Sequence, residues 1–374
     1  MRGGGFSGRR YWFEPVEKGV DIEMEWEENV RKVTPYIPGE QPKQQDVIKL
    51  NTNECPYAPA PGVRKIAESF DYGKLRLYPD TEAKKLADAL CEYFHIGQEQ
   101  LFIGIGSDDV LAMAFLTFFN SQKPILFPDI TYSFYDVWAE LFHIPYEQKK
   151  LDEKFQIVKE DYKKENGGIV IPNPNAPTGV WEKIEVIEEI VAANPGSVVI
   201  IDEAYVDFGG ESCRRLIDKY ENLLVVQTFS KSRAMAGLRI GFAMGSSKLI
   251  RYLKDAKFSF NSYTMNMLSV ELGTEAVRDE KYFKETVKKI INTRERVKKE
   301  LLNMGFVFPD SMGNFIFASH PGFPAKKIFE ELKRRNIYVR YWEKPRIDNY
   351  LRITVGTDEE MDILLRNLRD IMEK

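Results

Sequence analysis

Short apolar runs alternate with segments of helical periodicity through the middle of the chain. In segment 81–94 the residues Leu86, Ala89, Leu90 and Tyr93 recur at spacings of three and four, which predicts an amphipathic helix. The apolar runs consist mostly of consecutive Val, Ile, Leu and Phe residues, a pattern typical of strands buried on both faces of a parallel sheet. The predicted strands are, in chain order, LFIGIG, PILFP, GGIVIP, SVVIID, LLVVQTF and RIGFAMG.

The alternation of strands with helices indicates an α/β fold, and it fades after about residue 260. A long polar amphipathic helix is predicted over 279–305, followed by a mixture of strands and helices. The fold class is therefore α/β, with a large domain whose mostly parallel sheet is flanked by helices and a smaller α+β domain. The predicted boundaries are a disordered N-terminal extension (1–25), an arm joining the small domain (26–64), the large domain (65–261) and the small domain (262–374).

Length and charge restrict the function classes. A chain of 374 residues with a formal net charge of −4 and interspersed basic and acidic residues is typical of an enzyme, and it argues against nucleic-acid or membrane-surface binding. The longest apolar run, 110–119, covers about half of a membrane span. The three cysteines and three histidines are isolated from one another, which predicts free thiols, no metal site and a cytoplasmic enzyme.

Candidate chemistry lies just after the predicted strands, where an open parallel sheet binds its ligands. Lys231 follows the run LLVVQTF, and a lysine amine forms a Schiff base with an aldehyde. Asp202 ends the run SVVIID and is costly to bury unless it meets a cation such as a protonated pyridine nitrogen. The glycine turn before Ser107 opens a helix whose free N–H groups favour phosphate. Together these residues suit an aromatic aldehyde that carries a phosphate.

Each of these residues has an ordinary structural explanation when it is taken alone. Lys231 could lie in a surface loop, Asp202 could cap the next element, and GSDD could be a simple helix N-terminus. The segment GIGSDD also resembles the start of a dinucleotide-binding loop, but Asp109 occupies the position of its third glycine. Their order along the chain, each at a strand end, favours the shared site.

Three motifs resemble those of fold type I pyridoxal-phosphate-dependent aminotransferases: NPNAPTG, IDEAYVDF and TFSKSRAMAGLRIGF. Further segments, including TPYIPGEQP, LNTNECPYAP, LYPD and YLRITVGT, are similar to those of the histidinol-phosphate aminotransferases within that group. The resemblance runs from about residue 26 to the C-terminus. It implies pyridoxal 5'-phosphate as cofactor and a homodimer as the active unit.

The resemblance also implies a role for each residue of the site. Lys231 would bind the cofactor and move a proton, Asp202 would pair with its ring nitrogen, and Tyr205 with its phenolic oxygen. Tyr132 would stack on the ring, with Tyr135 as the alternative. The phosphate would be bound by Ser107, Asp108, Thr228, Ser230 and Arg239, with Tyr78 reaching it from the partner subunit. The substrate would contact Arg352, Arg340, Tyr36 and Asn53, with Arg346 as the alternative to Arg340.

One position departs from the family pattern. Many members have an asparagine directly before the proline of the cofactor loop, whereas here Asn175 precedes Ala176-Pro177, one residue earlier. Asn175 is the remaining candidate for the contact to the cofactor oxygen.

Three reactions are compatible with this scaffold. The leading one transfers the amino group of L-histidinol phosphate to 2-oxoglutarate, because two arginines beyond the cofactor's own suit a doubly anionic substrate. The alternatives are an aminotransferase for aromatic amino acids and a decarboxylase for an amino acid phosphate.

Overall fold

The computed structural model describes residues 25–44 and 46–373. The described residues up to Thr34 and those from Pro35 onward belong to two compact units. In the first unit, the described residues carry a 3₁₀ helix over Glu25–Asn29. The predicted N-terminal extension, 1–25, lies outside the described residues except for its last position.

The second unit contains the helices and strands that follow. The helices are α1 (Pro61–Glu68), α2 (Lys84–Phe94), α3 (Ser107–Phe118), α4 (Tyr135–Leu141), α5 (Ile184–Ala193), α6 (Ser247–Phe260), α7 (Met267–Arg278), α8 (Glu280–Asn303), α9 (Ala325–Arg334) and α10 (Asp358–Met372). The strands are β1 (Ile48–Lys49), β2 (Leu101–Gly104), β3 (Ile125–Pro128), β4 (Tyr146–Lys149), β5 (Gly168–Pro172), β6 (Val199–Asp202), β7 (Leu223–Thr228), β8 (Gly241–Gly245), β9 (Phe315–Ala318), β10 (Ile337–Tyr338), β11 (Arg340–Tyr341) and β12 (Leu351–Thr354).

A seven-stranded sheet in the order β2-β8-β7-β6-β5-β3-β4 forms the centre of the large domain. Strands β7, β6, β5, β3 and β4 pair in parallel, whereas β8 is antiparallel to both of its neighbours. The prediction of an α/β fold with a mostly parallel sheet is confirmed. Two features of this sheet were not predicted: the direction of β8, and the edge strand β4, whose YEQK sequence is largely exposed and lacks an apolar run.

Both faces of the sheet are buried, as the continuous apolar runs predicted. In β6, Val199 and Ile201 join a core with α2, α5 and α7, whereas Ile200 between them joins a core with α3, α4 and α6. This alternation follows from the period of two in a strand, so a strand covered on both sides needs apolar residues at every position. The carboxyl ends of the parallel strands therefore meet at one edge of a rigid layer.

The C-terminal part forms a second core around a three-stranded antiparallel sheet in the order β11-β12-β9. Helices α8, α9 and α10 pack their apolar faces on this core. The short strand β1 pairs in parallel with β10, so residues 48–49 lie beside the C-terminal part of the chain. The domain boundaries given above stay predictions. Across residues 25–44 and 46–373, no helix is both long and apolar enough to span a bilayer.

Candidate active site

Lys231 lies three residues past the end of β7, at the carboxyl edge of the central sheet. It lines a cavity of about 530 Å³ between the central sheet and the C-terminal part. Its Nζ atom donates a hydrogen bond to the carbonyl oxygen of Thr52 at 3.1 Å and lies 5.8 Å from the ring centroid of Tyr205. The amine that the sequence selected as the nucleophile is therefore part-buried and faces a cavity large enough for a small ligand.

Asp202, the last residue of β6, is a buried carboxylate that forms no ion pair with any described residue. The hydroxyl of Tyr135 donates to its Oδ2 at 2.8 Å, and the backbone N–H of Ala204 donates to its Oδ1 at 3.2 Å. Burial raises the pKa of Asp202 to about 6, although these two hydrogen bonds oppose the rise. A carboxylate in this position has a physical need for a cationic partner.

An anion cradle forms where α3 begins. Gly106, with φ of +94°, precedes Ser107 at the helix N-terminus, so the first N–H groups of α3 are free of intrahelical partners. Nearby, the Thr228 hydroxyl donates to the Ser230 hydroxyl at 3.0 Å, and Arg239 reaches Ser230 at 3.5 Å. The hydroxyls, the guanidinium and the helix N-terminus form a set of donors that suits a phosphate.

The two aspartates of this cradle have separate partners. Asp108 accepts hydrogen bonds from Tyr132 at 2.8 Å and from Arg239 at 3.1 Å. Asp109 instead turns back and accepts from the backbone N–H of Ile105 at 3.0 Å. Both carboxylates, which would repel a phosphate, are thus engaged by other groups of the chain.

Aromatic rings line the cavity beside Lys231. Tyr132 is partly buried and faces the cavity, whereas Tyr135 is fully buried beneath it and bonded to Asp202. Burial raises the pKa values of both hydroxyls, which therefore stay protonated. The ring of Tyr36 stacks on Phe134 at 4.1 Å. This geometry favours Tyr132 over Tyr135 as the ring that would face a ligand.

Asn53 connects three parts of the site. Its Nδ2 donates to the Tyr205 hydroxyl at 2.9 Å, and its Oδ1 accepts from the Thr354 hydroxyl at 3.0 Å. Asn53 has a left-handed backbone, with φ of +56°, at the turn that brings Thr52 to Lys231. The N-terminal segment thereby holds β12 against the end of the central sheet.

Two arginines face the cavity without a carboxylate partner among residues 25–44 and 46–373. Arg352 donates through Nη2 to the carbonyl oxygen of Asn51 at 2.8 Å, and its buried Nε has no partner there. Burial lowers the pKa of Arg352, and the neighbouring charge of Arg340 lowers it further. Arg340 donates only a long hydrogen bond, 3.5 Å, to the carbonyl oxygen of Ile37. Both guanidinium groups are available to an anionic ligand.

Arg346, the alternative to Arg340, is held by the chain itself. Its Nη1 pairs with Asp129 at 2.7 Å, and its Nη2 donates to the carbonyl oxygens of Leu151 and Asp152 at 2.7 and 3.1 Å. Arg346 also lines the cavity, but its charge is already neutralised. The geometry therefore favours Arg340 as the second substrate arginine.

The residues of the site fit pyridoxal phosphate. Asp202 has no ion-pair partner among the described residues, Lys231 provides a part-buried amine, and the start of α3 provides anion donors. Asn175 is buried, with Nδ2 bonded to Ile130 and Thr178 and with Oδ1 lacking a partner in the described part of the chain. An unpaired polar atom at that depth is consistent with a ligand contact, although the offset to the family motif persists.

The comparison with known proteins decides the family. The model of the family "Aminotransferase class I and II" matches residues 45–368. The chain belongs to this family. The histidinol-phosphate aminotransferase of Lactococcus lactis subsp. cremoris strain MG1363 is 51% identical over 350 residues, which cover 94% of this chain and 98% of the relative. The histidinol-phosphate aminotransferase of Clostridium beijerinckii is 51% identical over 347 residues, which cover 93% and 97%.

Solved structures agree on the fold of this aminotransferase. The crystal structure of histidinol-phosphate aminotransferase from Sinorhizobium meliloti, in complex with pyridoxal-5'-phosphate, has a TM-score of 0.79 at 22% identity and covers 87% of this chain and 91% of that one. The predictions of a fold type I transaminase that resembles histidinol-phosphate aminotransferases, and of pyridoxal phosphate as its cofactor, are confirmed. The roles of the individual residues stay predictions.

Tyr78 is the one predicted cofactor residue that lies away from this site. Its side chain is 80% exposed, its ring packs on Tyr263 at 4.6 Å, and it does not line the cavity of its own chain. This placement suits a residue that acts in another subunit.

The sequence did not predict the positions of three groups of the site. These are the Thr52 carbonyl beside Lys231, the Tyr135 hydroxyl on Asp202, and the Trp342 indole beside the two arginines. A backbone carbonyl leaves no signal in the sequence. The position of Trp342 could have been predicted from the sequence, because a residue two positions after Arg340 in an extended segment faces the same side as Arg340.

Proposed function

We propose that this aminotransferase transfers the amino group of L-histidinol phosphate to 2-oxoglutarate, giving imidazole acetol phosphate and L-glutamate in histidine biosynthesis. Relatives at about half identity over nearly the whole chain carry the name of this activity. The observation that carries the proposal is the pair Arg340 and Arg352, both facing the cavity of Lys231 and neither paired with a described carboxylate.

The two arginines suit a substrate with a phosphate. One guanidinium binds one carboxylate through two parallel hydrogen bonds, so a single arginine suffices for an ordinary amino acid. A phosphate dianion has three oxygens and two charges, which two guanidinium groups match. The same pair binds the carboxylates of 2-oxoglutarate and glutamate in the other half of the reaction. One cavity therefore serves both substrates.

Pyridoxal phosphate supplies an electron-poor ring that stabilises negative charge at the substrate carbon. The side chains of the protein would hold the cofactor, orient it and move the proton. Lys231 Nζ would hold the cofactor and would move the proton at the carbon that bears the amino group. Asp202 would keep a proton on the ring nitrogen, because a buried carboxylate is stabilised by a cation beside it. Tyr205, whose hydroxyl accepts a hydrogen bond from Asn53 at 2.9 Å, would pair with the phenolic oxygen.

The remaining roles belong to the same proposal. The start of α3, with Ser107 and Asp108, would bind the cofactor phosphate together with Thr228, Ser230 and Arg239. Tyr132 would stack on the cofactor ring. Asn175 contributes a polar contact, and Tyr36 closes the substrate side.

We further propose that the enzyme is a homodimer in which Tyr78 completes the partner's site. Exposed apolar residues precede Tyr78 closely in the chain (Tyr72, Leu75 and Leu77), and Tyr263, on which its ring packs, is exposed as well. An apolar surface of this kind marks a protein interface. The three cysteines are free, which supports the predicted location in a reducing cytoplasm.

Absorbance spectroscopy tests the proposed reaction. Purified enzyme loaded with pyridoxal phosphate should show the band of the lysine-bound cofactor, and L-histidinol phosphate should bleach it. L-Phenylalanine at the same concentration should leave it unchanged, and the Lys231→Ala variant should lack the band.

Product analysis separates the alternatives. With L-histidinol phosphate and 2-oxoglutarate, glutamate should form. An equal response to L-phenylalanine would assign the enzyme to aromatic amino acids. L-Histidinol phosphate has no carboxyl group to lose, so a second assay uses an amino acid phosphate, O-phospho-L-threonine. Carbon dioxide without glutamate in that assay would assign the enzyme to the decarboxylases.

A further inference from the structure

Arg340 and Arg352 lie directly opposite each other across the antiparallel pair β11–β12. Side chains at directly opposed positions point to the same face, and like charges there repel each other. Trp342 follows β11 and lies two residues after Arg340, so the period of a strand directs it to that face as well. The sequence spacing and the register together place one indole beside two guanidinium groups.

The distances confirm this arrangement. The central guanidinium carbon of Arg340 lies 5.3 Å from the Trp342 ring centroid, and that of Arg352 lies 5.2 Å from it. Arg352 also lies 5.5 Å from the ring of Phe315. Arg352 is therefore in contact with two aromatic rings, and Trp342 is the ring that both arginines share.

An aromatic partner leaves all N–H groups of an arginine available for a ligand, whereas a carboxylate occupies some of them. A cation–π contact uses the flat face of a guanidinium group, and the N–H groups that bind anions point outward in its plane. A carboxylate would occupy those N–H groups and compete with the substrate. Arg346 shows that outcome in the same cavity, because Asp129 pairs with its Nη1.

We infer that Trp342 is a positioning residue that holds Arg340 and Arg352 side by side and thereby sets the affinity of the cavity for the anionic group of the substrate. Its indole compensates the repulsion of two like charges without neutralising either. The identity of that anionic group as the phosphate of L-histidinol phosphate rests on the proposed function. The positioning of the two arginines by Trp342 does not depend on the proposed function.

Steady-state kinetics and phosphate binding test this inference on the cofactor-loaded enzyme. In Trp342→Leu, the KM for L-histidinol phosphate and the inhibition constant of inorganic phosphate should both rise about tenfold, the size expected for the loss of two modest cation–π contacts. The kcat should stay within about threefold, and the absorbance of the bound cofactor should not change. Trp342→Phe keeps a ring and should recover most of the affinity.

Tryptophan fluorescence gives a second readout that does not depend on turnover. Inorganic phosphate should change the fluorescence of the wild type but not that of Trp342→Phe. Trp181→Phe is the matched control, because Trp181 lies outside the cavity and its buried Nε1 has no partner in the described residues. This control should keep the wild-type fluorescence response and kinetics.

The outcomes separate the inference from the proposed function. Suppose that the wild type turns over L-histidinol phosphate. If Trp342→Leu then has the same KM and the same inhibition constant for inorganic phosphate as the wild type, the inference is overturned. If Trp342→Leu does not fold, fluorescence of the wild type and of Trp181→Phe that does not respond to saturating inorganic phosphate overturns the inference instead. If instead the wild type does not turn over L-histidinol phosphate, the proposed function is overturned. The inference still holds in that case if Trp342→Leu binds inorganic phosphate more weakly than the wild type does.

Discussion

Two adjacent buried acids at the end of β6 differ in how fully the chain satisfies them. Glu203 accepts hydrogen bonds from the Ser212 hydroxyl, the Gln227 amide and the backbone N–H of Cys213. Asp202 accepts from the Tyr135 hydroxyl and one backbone N–H. Successive residues of an extended segment point to opposite sides, so Glu203 bonds on the face that carries Cys213 and Asp202 on the face that carries Tyr135. The smaller number of partners fits the cofactor-binding role proposed for Asp202.

The Tyr135 hydroxyl should support cofactor binding through Asp202. In Tyr135→Phe, the ionised form of Asp202 loses its side-chain donor, so the pKa of Asp202 should rise further and its pairing with the ring nitrogen should weaken. We expect the cofactor dissociation constant to rise, and kcat to fall, by about tenfold, the size of a lost hydrogen bond to a charged group. The KM for the substrates should change little.

Tyr162→Phe is a matched control for this deletion. Tyr162 is also fully buried, but its hydroxyl has no partner among the described residues. Cofactor release, followed by absorbance during dialysis, should match the wild type in this control. Equal cofactor retention in Tyr135→Phe and Tyr162→Phe would show that the Tyr135 hydroxyl has no role beyond packing.

The phosphate cradle depends on how closely β8 approaches the start of α3. Gly241 begins β8 and is paired with Gly104, the last residue of β2. A Cβ atom at Gly241 would overlap the backbone of Gly106 and Ser107. The glycine therefore allows the antiparallel strand to lie against the turn whose N–H groups would bind the phosphate in the proposed function.

Gly241→Ala should displace this turn and weaken cofactor binding. Overpacking of this kind costs about 1–3 kcal/mol, which corresponds to a loss of about fivefold to 150-fold in cofactor affinity if the turn alone absorbs it. Gly237→Ala, in the same segment, is the control, because a Cβ atom there meets nothing within 4 Å. Fluorescence titration with pyridoxal phosphate should separate the two variants. Identical affinities would contradict the role given to the close approach.

At the scale of the whole molecule, the proposed site is incomplete in one subunit. Tyr78 lies on an exposed apolar surface, outside the cavity that contains Lys231. If each subunit donates Tyr78 to the other, defects in Tyr78 and in Lys231 can complement each other, since symmetric dimers carry two equivalent sites.

Mixed dimers should recover activity that neither parent has. Lys231→Ala and Tyr78→Ala homodimers should each be nearly inactive. A hybrid of the two has one site with both defects and one intact site. Random reassociation of an equal mixture should therefore give about a quarter of the wild-type kcat per subunit. Light scattering should show dimers throughout; a monomer, or a mixture without recovery, would place Tyr78 outside the partner's site.

The sequence by itself determined the α/β layer and most of the residues gathered at its edge. Continuous apolar runs require strands covered on both faces, and the carboxyl ends of parallel strands meet at one edge. Lys231, Asp202 and Ser107 could therefore be placed together before any contact was known. These conclusions depend on local periodicity and on a general rule of sheet topology, both of which a single sequence contains.

The tertiary structure alone decided which partners the side chains take. In the folded chain β8 runs antiparallel to β7, and Arg346 pairs with Asp129. The Tyr135 hydroxyl bonds to Asp202, and Trp342 lies beside Arg340 and Arg352. These choices depend on strand direction and register, which are set by contacts between residues far apart in the chain. An apolar run has the same composition in either direction, and a charged side chain in a sequence does not show which of several opposite charges it will meet.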